Sequence, residues 1–236
     1  MRKTTLALSA VAALSFSTMQ AHAATFLIDG FDTDQRVSDV PTPPVTNSGE
    51  LYDTGVLGDY RDLEVSASPA SADGVDLRTE LGNLSFSNNA GIQGVGTLTY
   101  DGLLAAGLGG FDLTLGKSVN LSSFIFDVVD FDGNAQFDVV IVDSSNVTAT
   151  YTETLFGGFN PILKFNEFTL AAGFDFTSVK SLKFMISTTG IVNNVDGRLG
   201  SISISAVPLP ASALLLLGGF GGLGVIRRRK NKAITA

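Results

Sequence analysis

One stretch of the chain constrains the fold more than any other: apolar residues at every second position on both sides of an Asp-Gly-Asn break. They are Phe124, Phe126 and Val128 before the break and Phe137, Val139 and Ile141 after it. Successive side chains of a β-strand point to opposite faces, so this period of two predicts two strands that each bury one face. Because Asp-Gly-Asn favours a tight turn, the pattern predicts a β-hairpin around Asp132, Gly133 and Asn134.

Further short apolar or β-branched runs recur between turn residues. They are TFLIDGF, DLEVSAS, DLRTEL, NLSFSN, GTLTY, FDLTL, LKFNEFTL, SVKSLKFMIST and GSISISAV. About a dozen strands with turns at intervals of roughly ten residues are typical of a β-sandwich. No window has a sustained 3.6-residue period with helix caps. The sequence therefore predicts an all-β fold, a single antiparallel β-sandwich, and 17 Phe without any Trp predict a phenylalanine-rich core.

The segment 37–58 departs from this pattern, because it has little periodicity and holds three of the seven prolines. Proline cannot donate a ladder hydrogen bond, so we expect a long loop or an edge excursion here rather than a central strand. A surface crossover between sheets is favoured over a functional loop.

The N-terminus has the three parts of a secretory signal peptide. Arg2 and Lys3 precede an apolar stretch, and Ala21 and Ala23 occupy the small-residue positions of an A-x-A cleavage site. Residues 1–23 are therefore predicted to be removed by signal peptidase after export.

Charge and composition exclude several function classes. Two of the 15 Lys and Arg residues lie in this leader and five lie in the last ten residues, so 8 remain in 24–206. All 23 Asp and Glu residues lie in 24–206, and this segment therefore has a net charge near −15. Such a domain repels nucleic acid. The chain has no Cys, and its only His, His22, lies in the leader. Ser-His and Cys-His catalysis and soft metal sites are excluded, and only oxygen ligands remain.

A calcium site is one interpretation of the DFDGNAQFD segment. Asp130, Asp132 and Asn134 offer oxygen ligands at alternate positions, which suits Ca²⁺ in an acidic exported protein. The EF-hand spacing of glycine and glutamate is missing, and Asp-Gly-Asn is also a favoured turn. The turn is the favoured alternative.

Catalysis by paired carboxylates needs neither His nor Cys. Nothing in the sequence singles out such a pair, and a sugar platform would have only four Tyr to draw on. A non-catalytic structural or binding module is predicted, with a glycan-acting enzyme as the alternative.

The C-terminus combines membrane and sorting features. About 16 apolar or glycine residues from Ala211 to Ile226 form a minimal span, shorter than the ~20 residues of a comfortable transmembrane helix. Two prolines precede it, and a basic cluster that stops transfer follows it. The cluster consists of Arg227, Arg228, Arg229 and Lys230.

The order of these three parts resembles the PEP-CTERM sorting signal, in its VPLPA-CTERM variant. The motif residues are Val207, Pro208, Leu209, Pro210 and Ala211. The commoner form has Glu in place of Leu209, which indicates a variant sorting enzyme. The resemblance covers about the last 25 residues. It implies export in a Gram-negative bacterium and transient anchoring in the inner membrane. It also implies processing by an exosortase, a membrane-embedded cysteine transpeptidase-like enzyme, followed by release or attachment at the cell surface. Proteins with this signal commonly accompany the production of exopolysaccharide and biofilm.

The middle of the chain loosely resembles jelly-roll carbohydrate-binding modules. An acidic first strand and a D-G-x-x-x-I-x-I last strand carry this resemblance, which implies a polysaccharide partner and adjacent first and last strands that share a structural calcium. The calcium candidates there are Asp29, Asp32, Asp34, Asn193, Asn194 and Asp196. We therefore expect a leader at 1–23, a sandwich at 24–206 and a sorting signal at 207–236, the last composed of a motif (207–211), a span (211–226) and a basic tail (227–236). A permanently anchored surface protein is a further alternative.

Overall fold

The computed structural model describes residues 23–39, 47–68, 74–190 and 194–207, which belong to one compact unit. The predicted signal peptide up to His22, Asn193 and the sorting signal from Pro208 onward lie outside the described residues. Within the described ranges no helix is long and apolar enough to span a membrane. The predicted span at 211–226 lies outside those ranges.

Fourteen β-strands build the described part of the chain, and its only helical segments are four single turns of 3₁₀-helix. The strands are β1 Ala24–Asp29, β2 Gln35–Ser38, β3 Asn47–Tyr52, β4 Tyr60–Ser68, β5 Val75–Glu80, β6 Asn83–Asn88, β7 Gln93–Tyr100, β8 Ser122–Asp132, β9 Asn134–Asp143, β10 Thr148–Phe156, β11 Ile162–Lys164, β12 Thr169–Leu170, β13 Val179–Ser187 and β14 Val195–Ala206. The predicted all-β fold is confirmed.

The strands form two antiparallel sheets. Sheet A has the order β11-β8-β14-β6-β5-β2, and β1 pairs with β14 beside the end of β6; sheet B has the order β12-β10-β9-β13-β7-β4-β3. The sheets pack face to face over phenylalanine rings, as predicted. Phe126 of sheet A contacts Phe137 and Phe184 of sheet B at ring-centroid distances of 4.9 and 5.7 Å. This is the antiparallel sandwich that the alternation predicts.

The predicted hairpin around Gly133 is wrong. Strand β8 belongs to sheet A and β9 to sheet B, so Gly133, with φ of 100°, turns the chain from one sheet to the other. The hairpin partner of β9 is β10, with Val142 opposite Thr148. Alternation specifies which face of a strand is buried, but it does not specify the partner strand, and an Asp-Gly-Asn turn suits both connections.

Three other segments refine the predicted strand list. FDLTL is not a strand, because Asp112 accepts hydrogen bonds from the N–H groups of Thr114 and Gly116 and bends the chain. LKFNEFTL splits into β11 and β12 around a 3₁₀ turn. The proline-rich segment 37–58 contains the end of β2 and all of β3, and both are edge strands, as the edge interpretation predicts.

The first and last strands are neighbours, which the resemblance to carbohydrate-binding modules also predicts. Ala24 lies opposite Ala206, and Asp29 lies opposite Ile202. Strand β14 continues beyond Asp29 for several residues and there pairs with β6. The acidic end of β14 is therefore far along the sheet from Asp29.

Candidate functional site

The outer face of sheet A carries two rows of polar side chains that cross five strands. The register of β2, β5, β6, β14 and β8 aligns them. The basic row consists of Arg36, Arg78, Ser85, Arg198 and Asp130, and the acidic row consists of Ser38, Asp76, Ser87, Asp196 and Asp132. Neighbouring strands are about 4.8 Å apart, so each row is about 20 Å long, and the rows are about 7 Å apart.

An open depression of about 500 Å³ follows the two rows, and every row residue except Ser38 lines it. A second depression of about 450 Å³ continues from Arg36 and Arg78 to Asp34 and Glu80. The polar surface is therefore a continuous track across the sheet.

The rows arise from a repeated local pattern. Strand β5 contains Asp76-Leu77-Arg78, and β14 contains Asp196-Gly197-Arg198. In both strands the middle residue is buried and its two neighbours face outward. An Asp-x-Arg triplet in a strand thus places an acid and a base on one face, one in each row. This repeated Asp-x-Arg triplet is the sequence signal for the site. The predicted strands contain both triplets, but the prediction of strands does not identify them as functional residues.

A β-bulge in β8 directs Asp130 into the basic row. Arg198 lies opposite Asp130 and Leu199 lies opposite Val128, so Val129 is an extra residue on β8. Val129 and Asp130 consequently both face outward. Bulges commonly redirect a side chain in this way.

The charges of the rows nearly balance. Arg36 Nε lies 2.7 Å from Asp76, Arg198 Nη2 lies 3.7 Å from Asp130, and Arg78 Nη1 lies 3.7 Å from Glu80 beside the row. A guanidinium has five N–H donors, so one such contact leaves donor capacity for a ligand. The track offers donors in one row and acceptors in the next, which matches groups that both donate and accept.

The calcium candidates are only partly brought together. Asp130, Asp132 and Asp196 lie together in the rows. Asn134 is exposed at the start of β9 in the other sheet, and Asp32 is exposed in the loop after β1. Across the described ranges, no three acidic or imidazole side chains are grouped closely enough to hold a metal ion. Calcium binding stays a prediction.

Asp29 is buried and serves the contact between the sheets. Its carboxylate accepts hydrogen bonds from Arg61 Nη1 at 2.9 Å, from the Tyr100 hydroxyl at 2.6 Å and from the Phe31 N–H at 2.6 Å. Burial raises the pKa of Asp29 above its ordinary value, and the Arg61 guanidinium opposes that rise. This carboxylate faces the interior and not the track.

Only the margins of the predicted processing sites are described. Ala23 is exposed, whereas Ala21 lies outside the described residues. Val207 is exposed, and its N–H donates to the Leu121 carbonyl at 2.9 Å. The rest of the VPLPA motif and the basic cluster 227–230 lie outside the described residues.

No family model matches the chain, and no curated protein matches it. Among solved structures, an exo-β-agarase is similar with a TM-score of 0.38 and 10% identity, over 75% of this chain and 25% of that chain. A family 30 carbohydrate-binding module is similar with a TM-score of 0.40 and 12% identity, over 79% of this chain and 89% of that chain. A family 30 module of a Clostridium thermocellum cellulosomal cellulase has a TM-score of 0.36 and 15% identity, over 72% and 97%. The chain spans about a quarter of the length of the two agarases it resembles. Likenesses at this level assign neither a family nor a ligand.

Proposed function

We propose that this protein is an exported, non-catalytic glycan-binding module that contacts its ligand with the two polar rows of sheet A. The observation that carries the proposal is the alignment of Arg36, Arg78 and Arg198 beside a row of aspartates. A sugar hydroxyl both donates and accepts, so a track with donors and acceptors in adjacent rows suits a polyhydroxylated chain. The strand spacing of about 4.8 Å is close to the length of one pyranose unit.

The electrostatics favour a neutral glycan over a polyanion. The sandwich carries a net charge near −15, which repels nucleic acid and acidic polymers at long range. The rows themselves are nearly balanced, so they add no strong attraction for either sign of charge.

An open sheet face favours binding over catalysis. Glycoside hydrolysis needs an acid and a second carboxylate on either side of the scissile bond. The row carboxylates lie side by side along a track that is open to solvent. A glycan-acting enzyme with paired carboxylates is the second candidate, and release of reducing ends by the wild-type protein would favour it.

Polysaccharide pull-down followed by calorimetric titration tests the binding. The compact unit 24–207 is compared with the variant Arg78→Ala/Arg198→Ala. We expect at least a tenfold loss of affinity, because two charge-assisted hydrogen-bond donors contribute about 1.5–3 kcal/mol each. Lys183→Ala, an exposed cation on sheet B, is the matched control and should bind as the wild type does. Equal binding by the row variant would remove the track from the proposal.

The proposed route to the cell surface rests on the two ends of the sequence. Signal peptidase would remove 1–23, the span 211–226 would stop in the inner membrane, and an exosortase-type enzyme would cut near Pro208–Pro210. The module would then reach the surface or matrix of a Gram-negative bacterium, where exopolysaccharide and biofilm are candidate surroundings.

Intact-mass measurement of protein from the cell surface tests this route. Loss of the chain that follows the cut near Pro208–Pro210 is expected, whereas a surface protein that keeps Ile226 to Ala236 is permanently anchored instead.

Calcium binding is a separate proposal for the end of the two rows at β14 and β8. Asp130, Asp132 and Asp196 lie there, although among the described residues they do not form a cluster of three carboxylates. We expect Ca²⁺ to raise the melting temperature relative to EDTA if they bind it, and an unchanged melting curve would rule this out.

A further inference from the structure

The connection between β7 and β8 presents two adjacent leucines to solvent. Leu103 is 50% exposed and Leu104 is 82% exposed. The segment that carries them is closed at its base, where the Gly107 N–H donates to the Asp101 carbonyl at 2.6 Å. Leu104 has a φ of 50°, which residues with a side chain seldom adopt, so the backbone commits to turning this apolar pair outward. We call 102–106 the leucine tip.

A small depression with many hydrogen-bond donors begins where the leucine tip ends. Its volume is about 250 Å³, and it is lined by Ala106, Gly107, Gly109, Gly110, Ser144 and Lys180. Gly109 and Gly110 have φ values of 70° and 79°, and their N–H groups donate no hydrogen bond to any described residue. Successive N–H groups in such turns form concave sites for anions. The Lys180 ammonium, 3.0 Å from Asn146 Oδ1, adds a positive charge.

Nearby acids keep this depression from attracting a strongly anionic surface. Burial and the charge of Glu50 raise the pKa of Asp101, and Lys183 and Lys180 oppose that rise, so Lys180 lies within electrostatic reach of a carboxyl group. The whole sandwich also carries a net charge near −15. Long-range repulsion therefore disfavours anionic lipids. The depression suits a phosphate whose charge is offset within its own headgroup.

The leucine tip belongs to the end of the sandwich where β14 finishes. In the β7–β8 connection the ring of Phe111 lies 5.0 Å from the ring of Phe26, which is opposite Ile204 of β14. The same connection ends at Leu121, whose carbonyl accepts a hydrogen bond from the Val207 N–H at 2.9 Å. The connection that carries the tip is thus fixed to the last residues of β14.

Few residues separate this end of the sandwich from the predicted membrane span. Only 208–210 lie between Val207 and Ala211, where that span begins. A fully extended chain of this length reaches at most about 14 Å. The polar layer on each side of a bilayer is itself about 5–8 Å thick. A chain anchored by the span therefore holds this end of the sandwich within about 10 Å of the headgroups.

We propose that the leucine tip and the depression behind it dock this end of the sandwich on a phospholipid bilayer. Leu103 and Leu104 insert at the boundary of the lipid chains, and the phosphate of a zwitterionic headgroup binds the free glycine N–H groups and Lys180. This inference rests on the proposed route through the inner membrane. Leucine side chains leave water on insertion, and the N–H groups gain an acceptor.

This contact orients the tethered sandwich without holding it permanently. Even a single myristoyl chain gives only marginal, reversible membrane binding, so two leucines bind more weakly still. While the tail is attached, docking keeps 208–210 at the bilayer surface, where a membrane-embedded enzyme has access to them. Once the tail is cut, the sandwich is free to leave.

The membrane depth of a single fluorescent probe tests the docking. The chain contains no cysteine, so Leu104→Cys provides one site for an NBD fluorophore. The labelled chain from Ala24 to Ala236 is reconstituted in phosphatidylcholine vesicles, and its emission is measured with and without nitroxide-labelled lipid. We expect the nitroxide lipid to quench the probe about twofold or more, because an inserted side chain lies about 5–10 Å into the headgroup boundary.

Ala90→Cys is the matched control, because Ala90 is exposed in the turn between β6 and β7, at the opposite end of the sandwich. A probe there should keep its emission. In the Leu104→Cys chain, Leu103→Ser and Lys180→Met should each reduce the quenching. Lys183→Met should not, because Lys183 does not line the depression. Thermal melting verifies that each variant is folded.

The outcomes separate this inference from the proposed route. If the labelled chain does not float with the vesicles, the span does not anchor it, and both the route and the docking are overturned. If the chain floats while the probes at 104 and 90 respond equally, only the docking is overturned. Undiminished quenching in Lys180→Met removes the headgroup contact. A dimer of 24–207 in lipid-free buffer that Leu103→Ser/Leu104→Ser converts to a monomer assigns the tip to a second copy instead.

Discussion

At the scale of single residues, the outer face of sheet B holds a carboxyl group whose pKa lies clearly above its ordinary value. Asp62 on β4 lies opposite Glu50 on edge strand β3. Partial burial, together with the negative charges of Asp101 and Glu50, raises the pKa of Asp62 to about 6. On its other side Asp62 lies opposite Thr99, which in turn faces Lys183 of β13. The fold thus favours the protonated acid at this position.

This raised pKa predicts a pH dependence of stability. Because the folded pKa lies above the unfolded value, the contribution of Asp62 is fully present below about pH 4 and is lost as the pH rises through about 6. Asp62 is only partly buried, so solvent screens its charge, and we expect a loss on the order of 1 kcal/mol in the free energy of unfolding between pH 4 and 7. Asp62→Asn should flatten this change and raise stability at pH 7. Urea unfolding of both proteins at several pH values measures it, and parallel pH profiles would contradict the assignment.

At the scale of elements, β14 determines the geometry of the site. It pairs with β8 on one side and with β6 and β1 on the other, so it holds both rows in register. Gly197 lies between the outward-facing Asp196 and Arg198, and it is buried against the ring of Phe131. A side chain at Gly197 would overlap that ring, so the glycine lets Phe131 pack beneath the track.

A substitution at Gly197 tests this packing. Gly197→Ala should lower the free energy of unfolding by about 1–3 kcal/mol, because the new methyl group has no space beside Phe131. Gly197→Ala/Phe131→Leu should recover part of the loss, since the smaller residue makes room. Chemical denaturation of the two variants and of Phe131→Leu alone completes the cycle. Additive losses would show that the two residues do not share one packing contact.

The strands were largely predictable from the sequence, but their pairing was not. The alternation around Gly133 correctly places Phe124, Phe126, Phe137 and Val139 in the core. The same alternation fits a hairpin and a connection between sheets, and the structure has the connection. In the site, the sequence shows the two Asp-x-Arg triplets of β5 and β14. No local sequence pattern, however, predicts that both triplets lie beside the serines of β6.

At the scale of the whole molecule, a buried polar network joins the two sheets. Arg61 of sheet B is fully buried and bonds to Asp29, Gln35 and Thr79 of sheet A. Its Nη2 also donates to the Thr33 carbonyl at 2.7 Å. Without disulfides, this network and the phenylalanine core hold the two sheets of the described unit together.

Breaking one side of this ion pair should be costly. Asp29→Ala leaves the buried Arg61 guanidinium without its carboxylate, and we expect a loss of about 3–5 kcal/mol in the free energy of unfolding. Asp29→Leu/Arg61→Met should lose less than the sum of the single changes, because no uncompensated charge is buried. The surface pair Arg36–Asp76 is the control, and Arg36→Met should change stability by about 1 kcal/mol or less. Denaturant unfolding measures all of these, and a small effect of Asp29→Ala would show that water or another group compensates Arg61.

The sequence by itself determined the all-β class, the buried face of most strands and the acidic balance, because these depend on local alternation and on composition. Only the tertiary structure decided which strands are neighbours, and therefore that Arg36, Arg78 and Arg198 form one row. It also buried Asp29 between the sheets. Each of these depends on contacts between residues distant in the chain, and no local pattern specifies strand register across a sheet.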